Sequence, residues 1–147
     1  MDLDTTVKLK IYDIIAHTTR PPTANEVAQM LGTPLAEVKA AFTRLHQKRL
    51  LVPEPGDPSR IRMAPPFSGI LTPFPVNVQG KVYYANCVWD ALGIPAALHQ
   101  DAVIVASDAH SGEPITLEIV NGRPVAQPCV IHFAVPAARW WDDIVYT

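Results

Sequence analysis

Lys81-Val82-Tyr83-Tyr84-Ala85-Asn86-Cys87-Val88-Trp89-Asp90-Ala91-Leu92-Gly93-Ile94-Pro95-Ala96-Ala97-Leu98 is the stretch on which the fold turns. Its opening residues, Lys81 to Tyr84, face Val76-Asn77-Val78 across Gln79-Gly80, which reads as a tight β-hairpin. A helix follows directly. With Asn86 as its N-cap, Cys87 takes the first helical position and Asp90 lies three residues on, on the same face. Strands that feed a helix in this way predict an α+β fold, with a mixed or antiparallel sheet carrying the Cys87 helix on one face.

Downstream, Val103-Ile104-Val105-Ala106 and Ile115-Thr116-Leu117-Glu118-Ile119-Val120 bracket a turn around Ser111-Gly112, and Asn121-Gly122 is the strongest hairpin signal in the chain. Cys129-Val130-Ile131-His132-Phe133-Ala134-Val135 alternates like a further strand, and Pro136-Ala137-Ala138-Arg139-Trp140-Trp141 opens a closing helix. Upstream, Leu3, Val7, Ile11, Ile14 and Ile15 form the stripe of a first helix that ends near His17. Thr23-Ala24-Asn25-Glu26 has capping-box spacing for a second helix, which runs to Leu31 and ends at Gly32. Thr33 caps a third helix, with Pro34 in its first turn and Leu35, Val38, Phe42 and Leu45 facing inward. Leu50-Leu51-Val52 and Arg60-Ile61-Arg62-Met63 then read as two short strands, so residues 1–63 form a helix-turn-helix with a wing.

Charge marks a boundary near Ala64-Pro65-Pro66. Residues 1–63 hold nine of the twelve Lys and Arg against seven acids, while residues 64–147 hold three against seven. The expected organisation is therefore a winged-helix module, 1–63, and an α+β domain, 64–147. At 48% hydrophobic and 18% charged residues, the 147-residue chain has the composition of a globular protein rather than a disordered one. The N-terminus lacks the apolar core of a signal peptide or membrane span, so the expected location is the cytoplasm. Two cysteines 42 positions apart form neither a zinc motif nor a disulfide framework and are read as free thiols. His17, His46, His99, His110 and His132 have no metal-ligand spacing.

The Cys87 and Asp90 pair carries the chemistry. A helix N-terminus favours a thiolate, whereas a neighbouring carboxylate opposes it, so the useful role of Asp90 is to take and deliver a proton. Breaking a carbon–mercury bond needs both partners: a soft sulfur ligand for the metal and a proton for the leaving carbanion. The plain alternative is a buried, inert Cys87 and an exposed Asp90. Tyr83 and Tyr84 read as packing residues, with one hydroxyl bordering the thiol, and Trp140-Trp141-Asp142-Asp143 could stand at a pocket mouth.

Tyr84-Ala85-x-Cys87-x-x-Asp90-x-Leu92-x-x-Pro95-Ala96 resembles the active-site segment of the bacterial organomercurial (alkylmercury) lyases. His110-Ser111-Gly112-Glu113-Pro114-Ile115 is similar to a Thr-Gly-x-Pro hairpin of the same family. The resemblance implies a winged-helix-like N-terminal module and catalysis by two cysteines and one aspartate, of which the first cysteine and the aspartate fall on Cys87 and Asp90. It implies protonolysis to a hydrocarbon and Hg(II), with mercury as substrate and product, no organic cofactor, and a small thiol as co-substrate. The expected partner is an organomercurial or another soft electrophile. The family's second catalytic cysteine lies in a strand beyond the closing helix, about where this sequence reaches Thr147, so the expectation is a fragment or a divergent member. Cys129, the only other thiol, shares a strand face with Ile131, Phe133 and Val135, the pattern of a core residue, with a substitute mercury ligand as the alternative.

A reading from another class is a mercury- or thiol-responsive DNA-binding regulator. The third helix would offer Lys39, Arg44, His46, Lys48 and Arg49 to a duplex, and the wing Arg60 and Arg62. The net charge of +2 over residues 1–63 is a thin footprint for that role.

Overall fold

The computed structural model describes residues 1–146. Asp2 caps α1 (Leu3–Thr18), accepting from the Thr5 N–H at 3.0 Å, and Val7, Ile11, Ile14 and Ile15 are buried along one stripe. α2 (Ala24–Leu31) begins with the expected capping box: the Glu26 N–H donates to Thr23 Oγ1 at 3.2 Å, and the Thr23 N–H donates to the Glu26 carboxylate at 2.7 Å. Arg20 clamps the outer side of Glu26 at 2.7 Å and holds its carboxyl down at about 2. α3 (Leu35–Gln47) starts one residue later than the sequence suggests. Pro34, not Thr33, is its N-cap, because Pro34 keeps an extended ψ of 134° and leaves Leu35 as the first helical residue.

β1 (Val52–Glu54), β2 (Asp57–Ala64) and β3 (Phe67–Ser68) make a small antiparallel sheet in that order, with Val52 opposite Met63 and Met63 opposite Ser68. A cis Pro65–Pro66 bond joins β2 to β3. Gly69 ends this hairpin so tightly that a Cβ would sit 2.2 Å from the Ile61 carbonyl oxygen, which only glycine tolerates.

The second sheet contains β4 (Pro75–Val78), β5 (Lys81–Tyr84), β6 (Ala102–Ser107), β7 (Pro114–Val120) and β8 (Arg123–Pro124). Its order is β5-β4-β6-β7-β8 and every pairing is antiparallel. Val76, Val78, Ala102, Ile104, Leu117 and Ile119 bury one face, and α4 (Val88–Leu98) lies across β4 and β6 with Ala91, Ile94 and Pro95 turned inward. The fold is thus α+β, with helices first and antiparallel sheets after. A single bridge between Phe67 and Ala85 links the two sheets, and the Tyr83 hydroxyl donates to the Ala16 carbonyl at 2.7 Å. Helices α1 to α3 and the second sheet therefore share one apolar cluster.

Two expectations about the C-terminal stretch are corrected. Residues 129–135 form no strand, and Cys129 is exposed rather than in the core. The alternation there needed a free sheet edge, but β8 is two residues long and ends in Pro124, which cannot donate to a ladder. The closing helix is a 3-10 turn, Ala137–Asp142.

The basic residues of the N-terminal half mostly turn to protein partners. Arg44 grips the buried Asp4 through Nε at 2.9 Å and Nη2 at 2.7 Å, and Lys48 adds a contact at 3.0 Å. Arg62 pairs with Glu54 at 3.5 Å, and Arg49 lies over the Trp141 ring. Four of the cations on which the DNA expectation relied are thereby engaged. Among the described residues no helix is long and apolar enough to cross a membrane.

Candidate active site

The chain leaves β5, bridges to β3 at Ala85 and enters α4 at Cys87, so Asn86, Cys87 and Asp90 are fixed where both sheets and the helix meet. Cys87 is the N-cap residue (φ −152°, ψ −179°) rather than the first helical residue, a shift of one position from the sequence reading. Its side chain makes no capping hydrogen bond. Burial pushes the thiol's pKa up, and the Asp90 charge adds to that. The backbone N–H groups of Asp90 and Trp89, directed at the sulfur at longer range, offset it only in part. The balance at Cys87 favours the thiol over the thiolate.

Asp90 is held beside it. Burial raises its carboxyl above the usual range, while the Asn86 amide, donating from Nδ2 to Oδ2 at 2.9 Å, pulls it back toward the ionised form. The same Nδ2 donates to the Phe67 carbonyl at 3.3 Å, so two acceptors fix the amide's orientation. Among the described residues, Asn86 Oδ1 is buried without a hydrogen-bond partner. Tyr12 approaches from α1. Burial, then the Asp90 charge, push its hydroxyl up to about 12, and it donates to the Pro65 carbonyl at 2.7 Å.

Asn86, Cys87 and Asp90 open on a cavity of about 370 Å³. Cys87, Asp90 and Asn86 form its polar floor, while Trp89, Trp140, Trp141, Phe133 and Tyr146 supply aromatic walls. Phe133 packs on Trp140 with ring centres 5.1 Å apart, and Trp140 Nε1 donates to the Val135 carbonyl at 2.8 Å. Cavities of this size, largely apolar with a few convergent polar groups, are the usual form of a small-molecule site.

The sequence profile of the alkylmercury lyase family matches residues 67–147, which contain Asn86, Cys87, Asp90 and the aromatic walls. The chain belongs to the alkylmercury lyase family. No curated protein matches it. Among solved structures, the fold is similar to that of the mercury-bound form of MerB2, with a TM-score of 0.68 at 22% identity, over 86% of this chain and 60% of that one. The chain thus spans about 60% of the length of that structure, and the likeness at this identity concerns the fold.

The structure brings Cys87 and Asp90 together in this lyase-family chain, as their spacing predicted. Cys129 is not among the residues lining the cavity. Neither tyrosine hydroxyl of the Tyr83-Tyr84 pair borders the thiol: Tyr83 turns to α1, and Tyr84 lines a different surface depression. Among the described residues, no three of His, Cys, Asp and Glu cluster as a metal site. Sequence reasoning missed Tyr12, Arg49 and the polar role of Asn86. For Asn86 the signal was present, since an asparagine four positions before an aspartate on a helix is within reach of its carboxylate.

Proposed function

We propose that the protein cleaves carbon–mercury bonds by protonolysis, with Cys87 as the mercury-binding nucleophile and Asp90 as the proton shuttle. The observation that carries this reading is the half-buried pair itself, a thiol beside an Asn86-held carboxyl in an aromatic cavity. A thiol kept protonated by burial needs a base, and the ionised carboxylate next to it is that base.

Asp90 takes the Cys87 proton, and the thiolate sulfur bonds to mercury and displaces its labile ligand. The carbon–mercury bond then breaks with its electron pair left on carbon, and the proton stored on Asp90 passes to that carbon. The products are a hydrocarbon and Hg(II) on the Cys87 sulfur. A small thiol in solution supplies the further sulfur ligand that Hg(II) requires and carries the metal away, consistent with the preference of soft metals for thiolates. In this reading residues 1–63 are a winged-helix module whose task is packing: α1 sends Tyr12 to the Pro65 carbonyl and holds Tyr83.

The test is hydrocarbon release from phenylmercury in excess small thiol, with Cys87→Ser and Asp90→Asn beside the unmodified protein. Cleavage is expected to fall by about 10²-fold or more in each, the usual range for a lost nucleophile or positioned acid–base group. Undiminished release by Cys87→Ser would overturn the mechanism.

A further inference from the structure

Arg49 follows the last turn of α3, with its N–H donating to the His46 carbonyl at 2.8 Å and that of Leu50 to the Leu45 carbonyl at 2.9 Å. This pairing is the Schellman ending, and it puts Arg49 in the left-handed region at φ +59°. The turn takes the side chain out of the helix stripe to the cavity that holds Cys87 and Asp90. Its guanidinium carbon lies over the Trp141 ring, 5.8 Å from the centre, a cation–π arrangement.

Charge bookkeeping singles this residue out. Among the described residues that line the cavity, Arg49 is the only cation and Asp90 the only acid. Arg20, Arg44, Arg62 and Arg139 each pair with a carboxylate, whereas Arg49, like Arg60 and Arg123, has no ion pair among the described residues, and of these three only Arg49 lines the cavity. A guanidinium presented on an aromatic face with its N–H fork uncommitted is suited to a carboxylate, which it can hold through two parallel hydrogen bonds. The space fits an aryl group as well: an apolar cavity of about 150 Å³ already takes a benzene ring, and this one measures about 370 Å³. A methyl group would leave most of it empty.

We propose that Arg49 is a substrate-binding residue that selects organomercurials whose aryl group carries an acid, an arylmercury carboxylate being the simplest case. The inference rests on the lyase reading and deepens it. Cys87 and Asp90 act at the mercury–carbon bond, the ring lies against the tryptophans, and the acid group reaches Arg49.

The experiment compares kcat/KM for 4-hydroxymercuribenzoate and phenylmercury acetate in excess small thiol, in the unmodified protein and in Arg49→Met and Arg49→Gly. Arg49→Gly keeps the left-handed backbone, which glycine adopts freely, and so separates the side chain from the helix ending. The preference for the carboxylated substrate is expected to fall by about 10- to 100-fold in both variants, the fold-change of one lost charge-assisted contact. An unchanged ratio would overturn the assignment. Should the unmodified protein cleave neither compound, the lyase reading fails by itself, and an NMR titration with benzoate decides the handle. Shifts at the Arg49 Nε and Trp141 indole resonances that vanish in Arg49→Gly would sustain it, and no shifts would sink it.

Discussion

Replacing Asn86 by leucine tests the proton shuttle without touching either reacting side chain. Leucine keeps the branched heavy-atom skeleton of asparagine, and its bulkier methyl ends lie beside the open cavity, so the main loss is of polar contacts. Two donor contacts disappear, from Nδ2 to Asp90 at 2.9 Å and to the Phe67 carbonyl at 3.3 Å. The buried Oδ1 without a partner disappears with them. Removing an unsatisfied buried carbonyl recovers about 1–3 kcal/mol, which offsets the lost donors, so Tm should change by no more than a few degrees. Catalysis has no such offset. The hydrogen bond to the ionised carboxylate is worth about 1.5–3 kcal/mol, which converts to a fall in kcat/KM of about 10- to 100-fold. The pH dependence gives the sign. Asp90 must be ionised to take the Cys87 proton, burial already raises its carboxyl, and Asn86 opposes that rise. Without Asn86 the carboxyl rises further, so the acid limb of kcat/KM moves to higher pH. The assay is hydrocarbon release from phenylmercury across pH, with a melting curve on the same samples. A pH profile that stays in place, or a rate loss that only tracks a loss of stability, would refute the reasoning.

Asp4→Ala should destabilise the protein by about 1–2 kcal/mol, between the values for surface and buried pairs, because Asp4 is buried but Arg44 and Lys48 are 45% and 57% exposed. Arg44, then Lys48, hold the Asp4 carboxyl below the usual carboxylate range. Their stabilisation is therefore complete above that range and lost as pH falls through the depressed value, so the gap between variant and parent in thermal melts should close in acid. Glu26→Gln should behave likewise: its carboxyl sits at about 2, and the parent's advantage should fade as pH drops from about 4.5 toward that value. Gly69→Ala should cost several degrees in Tm, since its Cβ would meet the Ile61 carbonyl oxygen at 2.2 Å. Cys129→Ser should leave both stability and phenylmercury cleavage unchanged, and in the parent Cys129 should react with a thiol reagent well before Cys87, as expected of an exposed thiol against a half-buried one.

The parts of the fold that were legible in the sequence are those set by short-range chemistry. The Thr23 capping box, the Gly32 ending, the Gln79-Gly80 and Asn121-Gly122 hairpins and the stripe of α1 all involve partners within a few residues, and each is found where its local signal stood. Residues 129–135 show the opposite case. Their alternation is that of a strand, but a strand also needs a ladder to join, and the neighbouring β8 is two residues long and ends in Pro124, which cannot donate to one. Cys87 and Asp90 were legible because one helical turn unites them. The cavity was not, because it is assembled from Arg49 after α3, Met63 and Pro65 around the end of β2, the start of α4 and residues 133–146. The balance at the thiol was left open by the sequence for a related reason: helix position can be read from spacing, whereas burial depends on everything packed around the site.

The central claim is that Asp90 returns to carbon the proton it takes from Cys87 while mercury stays on sulfur. A single turnover of phenylmercury in deuterated water, with the released benzene analysed by mass and the mercury located on the protein, tests it most directly. The account predicts benzene carrying one deuterium, mercury on Cys87 until small thiol is added, loss of both in Cys87→Ser, and strongly slowed benzene release in Asp90→Asn. Mercury bound at Cys87 with no benzene released, or benzene formed equally well by Cys87→Ser, would contradict it.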